Sequence, residues 1–223
     1  MNATECIKVS NLFYYVQPKK RFTLADRLLF CYYLIMSNDS PKLLTDRYNH
    51  EVADFFNTEI IEINVKFYET WQELSDKFTD LRKEKNPPKW LSGFANDRTV
   101  HILSPEVMSA RREDSGTTRF KKILKHEIAH FYVSRLNDDI PAWLNEGISC
   151  WLANQNKDAD INPTVALLKA LDHEYGKSTY DVGRFMVSKI VDTFGKERLF
   201  DIIRIKDREA RYEKLKEMFD WLR

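Results

Sequence analysis

The chain orders its elements as helices, then a small sheet, then helices again, and that order predicts an α+β fold. Two changes of hydrophobic period carry the prediction. Leu44, Tyr48, Val52 and Phe55 recur at the spacing of one helix face. From Ile61 the period drops to two: Ile61, Ile63, Val65 and Phe67 alternate with Glu62, Asn64, Lys66 and Tyr68, the pattern of a half-buried strand. Helical spacing then returns through Trp71, Leu74, Phe78 and Leu81.

Taken in order, Thr23 can cap a helix over Leu24–Met36, and Ser40-Pro41 supplies the cap and first-turn proline of the next. The first 56 or so residues are therefore expected to be helical. After the strand, a helix over Trp71–Lys85 is stopped by Asn86-Pro87-Pro88. Trp90–Ala95 reads as a short strand or a turn about Gly93, and Arg98–Leu103 as a strand ended by Pro105. Ser109–Thr118 has the composition of a solvated loop, ahead of a helix from about Arg119 to Leu136. Asn137–Pro141 is a turn. Trp143, Leu144, Ile148, Trp151 and Leu152 then mark another apolar-faced helix, and Asn154–Asn162 a polar loop. Pro163 opens one more helix, and Ser178 or Thr179 caps another that ends near Gly195. Leu199, Ile202 and Ile203, then Tyr212, Leu215, Phe219 and Leu222, mark the tail helices.

At 223 residues the chain is long enough to bury a substantial core and hold a site. Thirty-five Lys and Arg against 34 Asp and Glu leave a formal charge of +1, so no global field draws it to nucleic acid or to an anionic membrane. Hydrophobic residues at 43% with only six Gly and seven Pro exclude low-complexity and disordered classes. The most apolar stretch, Leu28–Met36, is about half the length a membrane span needs. Cys6, Cys31 and Cys150 are few and scattered, and Met1–Glu5 lacks the start of a secretory signal, so a reducing, cytoplasmic setting is expected.

The most informative pentapeptide is His126-Glu127-Ile128-Ala129-His130. On a helix, residues four apart project to nearly the same side, so both imidazoles can reach one ion. Zinc suits them, since it accepts imidazole nitrogen and tolerates three protein ligands plus a water. Glu127, about 100° around the helix, can approach that water as a base without being a ligand. Ile123, Leu124, Ile128 and Phe131 make this helix a core element, as a rigid site requires.

The continuation Val133 and Leu136 closes the HExxHxxGxxH route to a third histidine. Pro141-Ala142-Trp143-Leu144-Asn145-Glu146-Gly147 follows after a short turn, and with it the sequence resembles the gluzincin metallopeptidases, the thermolysin and aminopeptidase type, especially their small relatives with a P-x-W-L-x-E-G signature. The resemblance spans roughly Trp90 to Ile203 and implies a zincin-like catalytic domain, with Zn2+ held by His126, His130 and Glu146. It further implies that the strands about Trp90–Ala95 and Thr99–Leu103 form an edge that pairs with an extended substrate. Tyr180, in Tyr180-Asp181-Val182-Gly183, is similar to the aminopeptidase tyrosine that stabilises the oxyanion; a core tyrosine is the other reading. On this basis the chain divides into an N-terminal helical segment over 1–56, a sheet and active-site-helix part over 57–140 and a C-terminal helical part over 141–223, the last two together forming one catalytic domain.

The sequence departs from the family at Cys150, where thermolysin-like enzymes place an Asp that orients a zinc imidazole; Cys150 is then either a core residue or a redox-sensitive neighbour of the site. No GxMEN stretch precedes the pentapeptide, which weakens an exopeptidase reading, although Asp97 near the edge strand could anchor an amine. His50, His101 and His173 lack ligand spacing, with His101 also open to a role on the edge strand. Arg111 and Arg112 either are solvated or meet a substrate carboxylate. The expected activity is zinc-dependent hydrolysis of a peptide or protein substrate, with Glu127 as general base. The alternative is a latent or inactive zinc-fold regulator that binds a partner through its N-terminal helices.

Overall fold

The computed structural model of the chain describes residues 40–111, 116–156, 161 and 179–219. The helices expected over Leu24–Met36 and from Pro163 lie outside them, as does Arg112. The described residues form a mixed α+β fold of eight helices and one three-stranded sheet. The helices are α1 Pro41–Phe56, α2 Trp71–Arg82, α3 Pro105–Arg111, α4 Gly116–Leu136, α5 Ala142–Leu152, α6 Thr179–Phe194, α7 Lys196–Arg204 and α8 Arg208–Phe219; the strands are β1 Asn64–Tyr68, β2 Gly93–Asn96 and β3 Thr99–Leu103. No helix among the described residues is long and apolar enough to cross a membrane.

The sheet runs in the order β1-β3-β2, with β1 parallel and β2 antiparallel to the central β3. Asp97 and Arg98 join β2 to β3 with both φ angles positive, 43° and 55°, the backbone of a two-residue turn matched to strand twist. The strand expected from Ile61 begins only at Asn64, because β3 starts at Thr99 and offers nothing to pair with earlier residues. Ile61 instead donates its N–H to the Tyr132 hydroxyl at 3.0 Å and accepts from Asn49 Nδ2 at 2.6 Å. Burial along β1 also departs from the expected alternation: Tyr68 is buried and Phe67 is 37% exposed. Helices cover both faces of the sheet, so neither face of this edge strand is simply the wet one.

On one face, Phe78 of α2 stands edge-on to Phe94 at 5.2 Å, and Phe94 stacks on His101 at 4.6 Å. On the other, Phe120 of α4 lies 6.0 Å from Phe67, and Ile123 packs on Gly93. His101 is therefore on the central strand, buried and bonded to the Tyr68 hydroxyl at 2.7 Å, and not on the exposed edge where the sequence allowed it a substrate role.

Local signals set the helix ends. Thr70 caps α2 by accepting from the Glu73 N–H at 3.1 Å, and Lys83 ends it in the left-handed region at φ 60°, before the expected stop at the prolines. Ser109–Arg111 and Gly116–Thr118, expected in a loop, are helical. Ser104-Pro105-Glu106 explains α3: the Ser104 hydroxyl faces the Val107 N–H at 3.4 Å, Pro105 takes the first helical position, and Glu106 adds a negative charge to the first turn.

α4 is the core of the molecule, with Leu124, Ile128, Ala129 and Val133 fully buried. α1, grouped by sequence with the residues before it, shares this core: Phe56 stacks on Tyr132 at 6.1 Å, and Phe55 meets Trp151 at 5.4 Å and Phe200 at 5.3 Å. A compact unit begins at Pro41. Tyr132 donates to Asn49 Oδ1, tying α1 to α4 through a buried bond.

Candidate metal centre

Two helices converge on the site. α4 presents His126 and His130 on one face, their rings 4.7 Å apart and nearly perpendicular. The turn at Asn137–Pro141 reverses the chain, and Asn137 fixes it by donating to the Ile203 carbonyl at 2.7 Å. α5 then returns alongside α4 with Glu146 facing the imidazoles. Glu146 Oε2 lies 3.1 Å from His126 Nε2 and 3.7 Å from His130 Nε2. One ligand atom from each of the three side chains falls within 4.8 Å of the others.

The donor set fits a small divalent ion. Ligand atoms at about 2.0–2.1 Å from a tetrahedral centre stand roughly 3.3 Å apart, the spacing that the two imidazole–carboxylate distances bracket. The outer ring nitrogens are already engaged. His130 Nδ1 is 2.7 Å from Asn145 Oδ1 and 3.2 Å from Ser149 Oγ. His126 Nδ1 points at Cys150 Sγ, 3.7 Å away, and that thiol donates to Gln155 Oε1 at 3.6 Å. Held at Nδ1, each ring aims its Nε2 inward at Glu146.

Glu127 is buried on α4, facing the edge strand. Burial pushes its carboxyl up to about 7; the nearby Glu146 charge adds to the rise, while His130, Arg82 and the Ala95 N–H restrain it. Burial also works to raise Glu146, but the hydrogen bond with His126 and the two imidazoles hold it below the ordinary carboxylate value. Two acids a few residues apart in space are thus driven in opposite directions, one to carry a proton near neutrality and one to stay charged. The Cys150 thiol is pushed up, by burial first and the Glu146 charge second, so it is a neutral bonding partner to His126.

The structure brings together four of the five residues singled out by sequence: His126, Glu127, His130 and Glu146. The fifth, Tyr180, opens α6 beside them, its ring 6.3 Å from that of His126 and edge-on to Trp90 at 5.9 Å. Asp97 sits in the hairpin turn. Sequence reading gave no role to Asn145 and Ser149, although helical spacing from Glu146 puts Ser149 one turn on and Cys150 beside it. It also passed over Arg82, whose Nη2 donates to the Ala95 carbonyl at 2.6 Å; nothing in the sequence places the end of α2 against β2.

No protein-family model, curated protein or solved structure matches the chain.

Proposed function

We propose that the chain is a zinc-dependent peptidase with a zincin-like catalytic domain of the gluzincin type. The observation that supports this reading is the convergence of His126, His130 and Glu146 on one point, with a buried, proton-hungry Glu127 beside them. Zinc held by those three side chains supplies Lewis acidity toward a carbonyl and the activation of water.

The chain's own residues do the rest. Glu127 takes the proton of the attacking water as the C–O bond forms, and returns it to the amide nitrogen as the C–N bond breaks. Asn145, Ser149 and Cys150 keep the imidazoles from rotating. Tyr180 donates a hydrogen bond to the oxygen that gains charge at the tetrahedral carbon.

Metal analysis of the purified chain, paired with two variants, tests the proposal. Zinc is expected to copurify, and Glu146→Ala is expected to release it. Glu127→Gln should retain zinc and lose hydrolysis of a mixed peptide library by about 10²- to 10⁴-fold. Undiminished hydrolysis by Glu127→Gln removes the mechanism, and unchanged zinc content in Glu146→Ala removes the ligand set.

A further inference from the structure

Among the described residues nothing pairs with the β2 edge of the sheet beside Glu127, and that edge carries a feature that the hydrolytic reading leaves unused. In the antiparallel pair β2·β3, the Leu103 N–H bonds the Ser92 carbonyl at 2.9 Å, and Phe94 opposes His101. Main-chain bonding alternates along such a pair, so Ser92, Phe94 and Asn96 bond to β3 while Gly93 and Ala95 turn their N–H and C=O groups outward, to the free edge. Those outward groups are what an extended peptide would pair with on entering the cleft.

At Ala95 both are already engaged by side chains. Its N–H faces the Glu127 carboxyl, from α4 on one face of the sheet. Its carbonyl accepts from Arg82 Nη2 at 2.6 Å, and Arg82 ends α2, which covers the opposite face. The arginine thus reaches the sheet edge, where its charge is felt by the Glu127 carboxylate. Arg82 is an exposed residue, and its guanidinium has five N–H donors in a planar fork, of which Ala95 uses one. A peptide lying on this edge displaces Arg82 from the carbonyl or meets it side-on. In either case a permanent cation is left facing the peptide, and the group that matches a guanidinium fork in charge and shape is a carboxylate.

We propose that Arg82 is a specificity-determining residue that binds a carboxylate of the peptide on the β2 edge, either its C-terminus or an Asp or Glu side chain. The proposal rests on the peptidase reading of the same cleft.

Binding is read by fluorescence anisotropy on zinc-loaded Glu127→Gln protein, which holds peptide without turning it over. Three labelled hexapeptides are compared: a free C-terminal acid with internal Gln, a C-terminal amide with internal Glu, and an amide with Gln and no carboxylate. One of the two acidic peptides, or both, should bind about tenfold more tightly than the neutral one, and which does so identifies the source of the carboxylate. Adding Arg82→Gln, which keeps a donor for Ala95, should abolish the advantage; Arg82→Glu should turn it into a preference for a Lys-containing amide. Thermal melting checks that each variant folds. If neither does, Arg82→Lys keeps the charge without the fork and should retain only part of the preference. Equal binding of all three peptides, or a preference that survives Arg82→Gln, overturns the role of Arg82. Cleavage of all three by the unmodified enzyme at equal rates does the same while leaving the peptidase reading intact. Neither binding nor cleavage of any peptide overturns both.

Discussion

Glu127 shows how a single side chain can be read in advance yet understood only in its surroundings. Its place in His126-Glu127-Ile128-Ala129-His130 marks it as a base next to two ligands, because the helical period fixes those directions whatever the rest of the fold does. Its burial, and its meeting with the Ala95 N–H, depend on a sheet edge more than thirty residues earlier in the chain, which no local pattern encodes. The consequence is measurable in metal-free protein. The folded state holds the Glu127 proton up to about 7, whereas the unfolded chain releases it near the ordinary carboxylate value. Between those values the folded state binds more protons, so stability falls as pH rises through the window and levels off above it, by up to about 3 kcal/mol. Urea unfolding of chelator-treated protein at pH 4.5 and pH 8 should show this loss in the unmodified chain and not in Glu127→Gln. A difference between the two proteins that is the same at both pH values would mean that Glu127 ionises normally in the fold.

At the scale of elements, the legible parts were those whose signals are local. α1, α2, α4, α5 and α6 were all anticipated from apolar spacing and caps, and so were the turn at Asn137 and the sheet after Ile61. α3 was missed although Ser104-Pro105-Glu106 announces it, because the hydroxyls and charges just beyond it have the composition of a loop. Beyond local reach was the packing of α5 on α6, which decides where Glu146 stands. Gly147 and Gly183 bring the two backbones into contact: a Cβ on Gly183 would come within 2.1 Å of the Trp143 carbonyl oxygen, and one on Gly147 within 2.4 Å of the Gly183 carbonyl group. Both obstacles are backbone and cannot swing aside, so even one methyl forces the helices apart. Gly183→Ala is expected to lower stability by about 3 kcal/mol and, by shifting α5, to weaken zinc retention along with it. Chemical denaturation and competition with a chromophoric chelator measure the two effects. Full stability with unchanged metal affinity would show that the contact does not hold Glu146 in place.

For the molecule as a whole, the centre depends on two packings: α4, packed on the sheet, carries two ligands, and α5, packed on α6, carries the third. An ion bound by all three exists only when both packings are intact, so its binding energy adds to folding stability. At a free zinc concentration a thousandfold above the dissociation constant, the gain is about 4 kcal/mol. For a chain of this size that corresponds to a rise in melting temperature on the order of 10 °C. The rise should shrink on acidification, because protons compete with the ion for the ligand atoms. In Glu146→Ala it should nearly vanish, since a helix that contributes no ligand is no longer tied to its neighbour. Melting curves with and without zinc, at pH 7.5 and pH 5.5, give the zinc-dependent rise at each pH for each protein. If Glu146→Ala melts with the same zinc-dependent rise as the unmodified chain, the ion is held elsewhere and α4 and α5 are joined by side-chain packing alone.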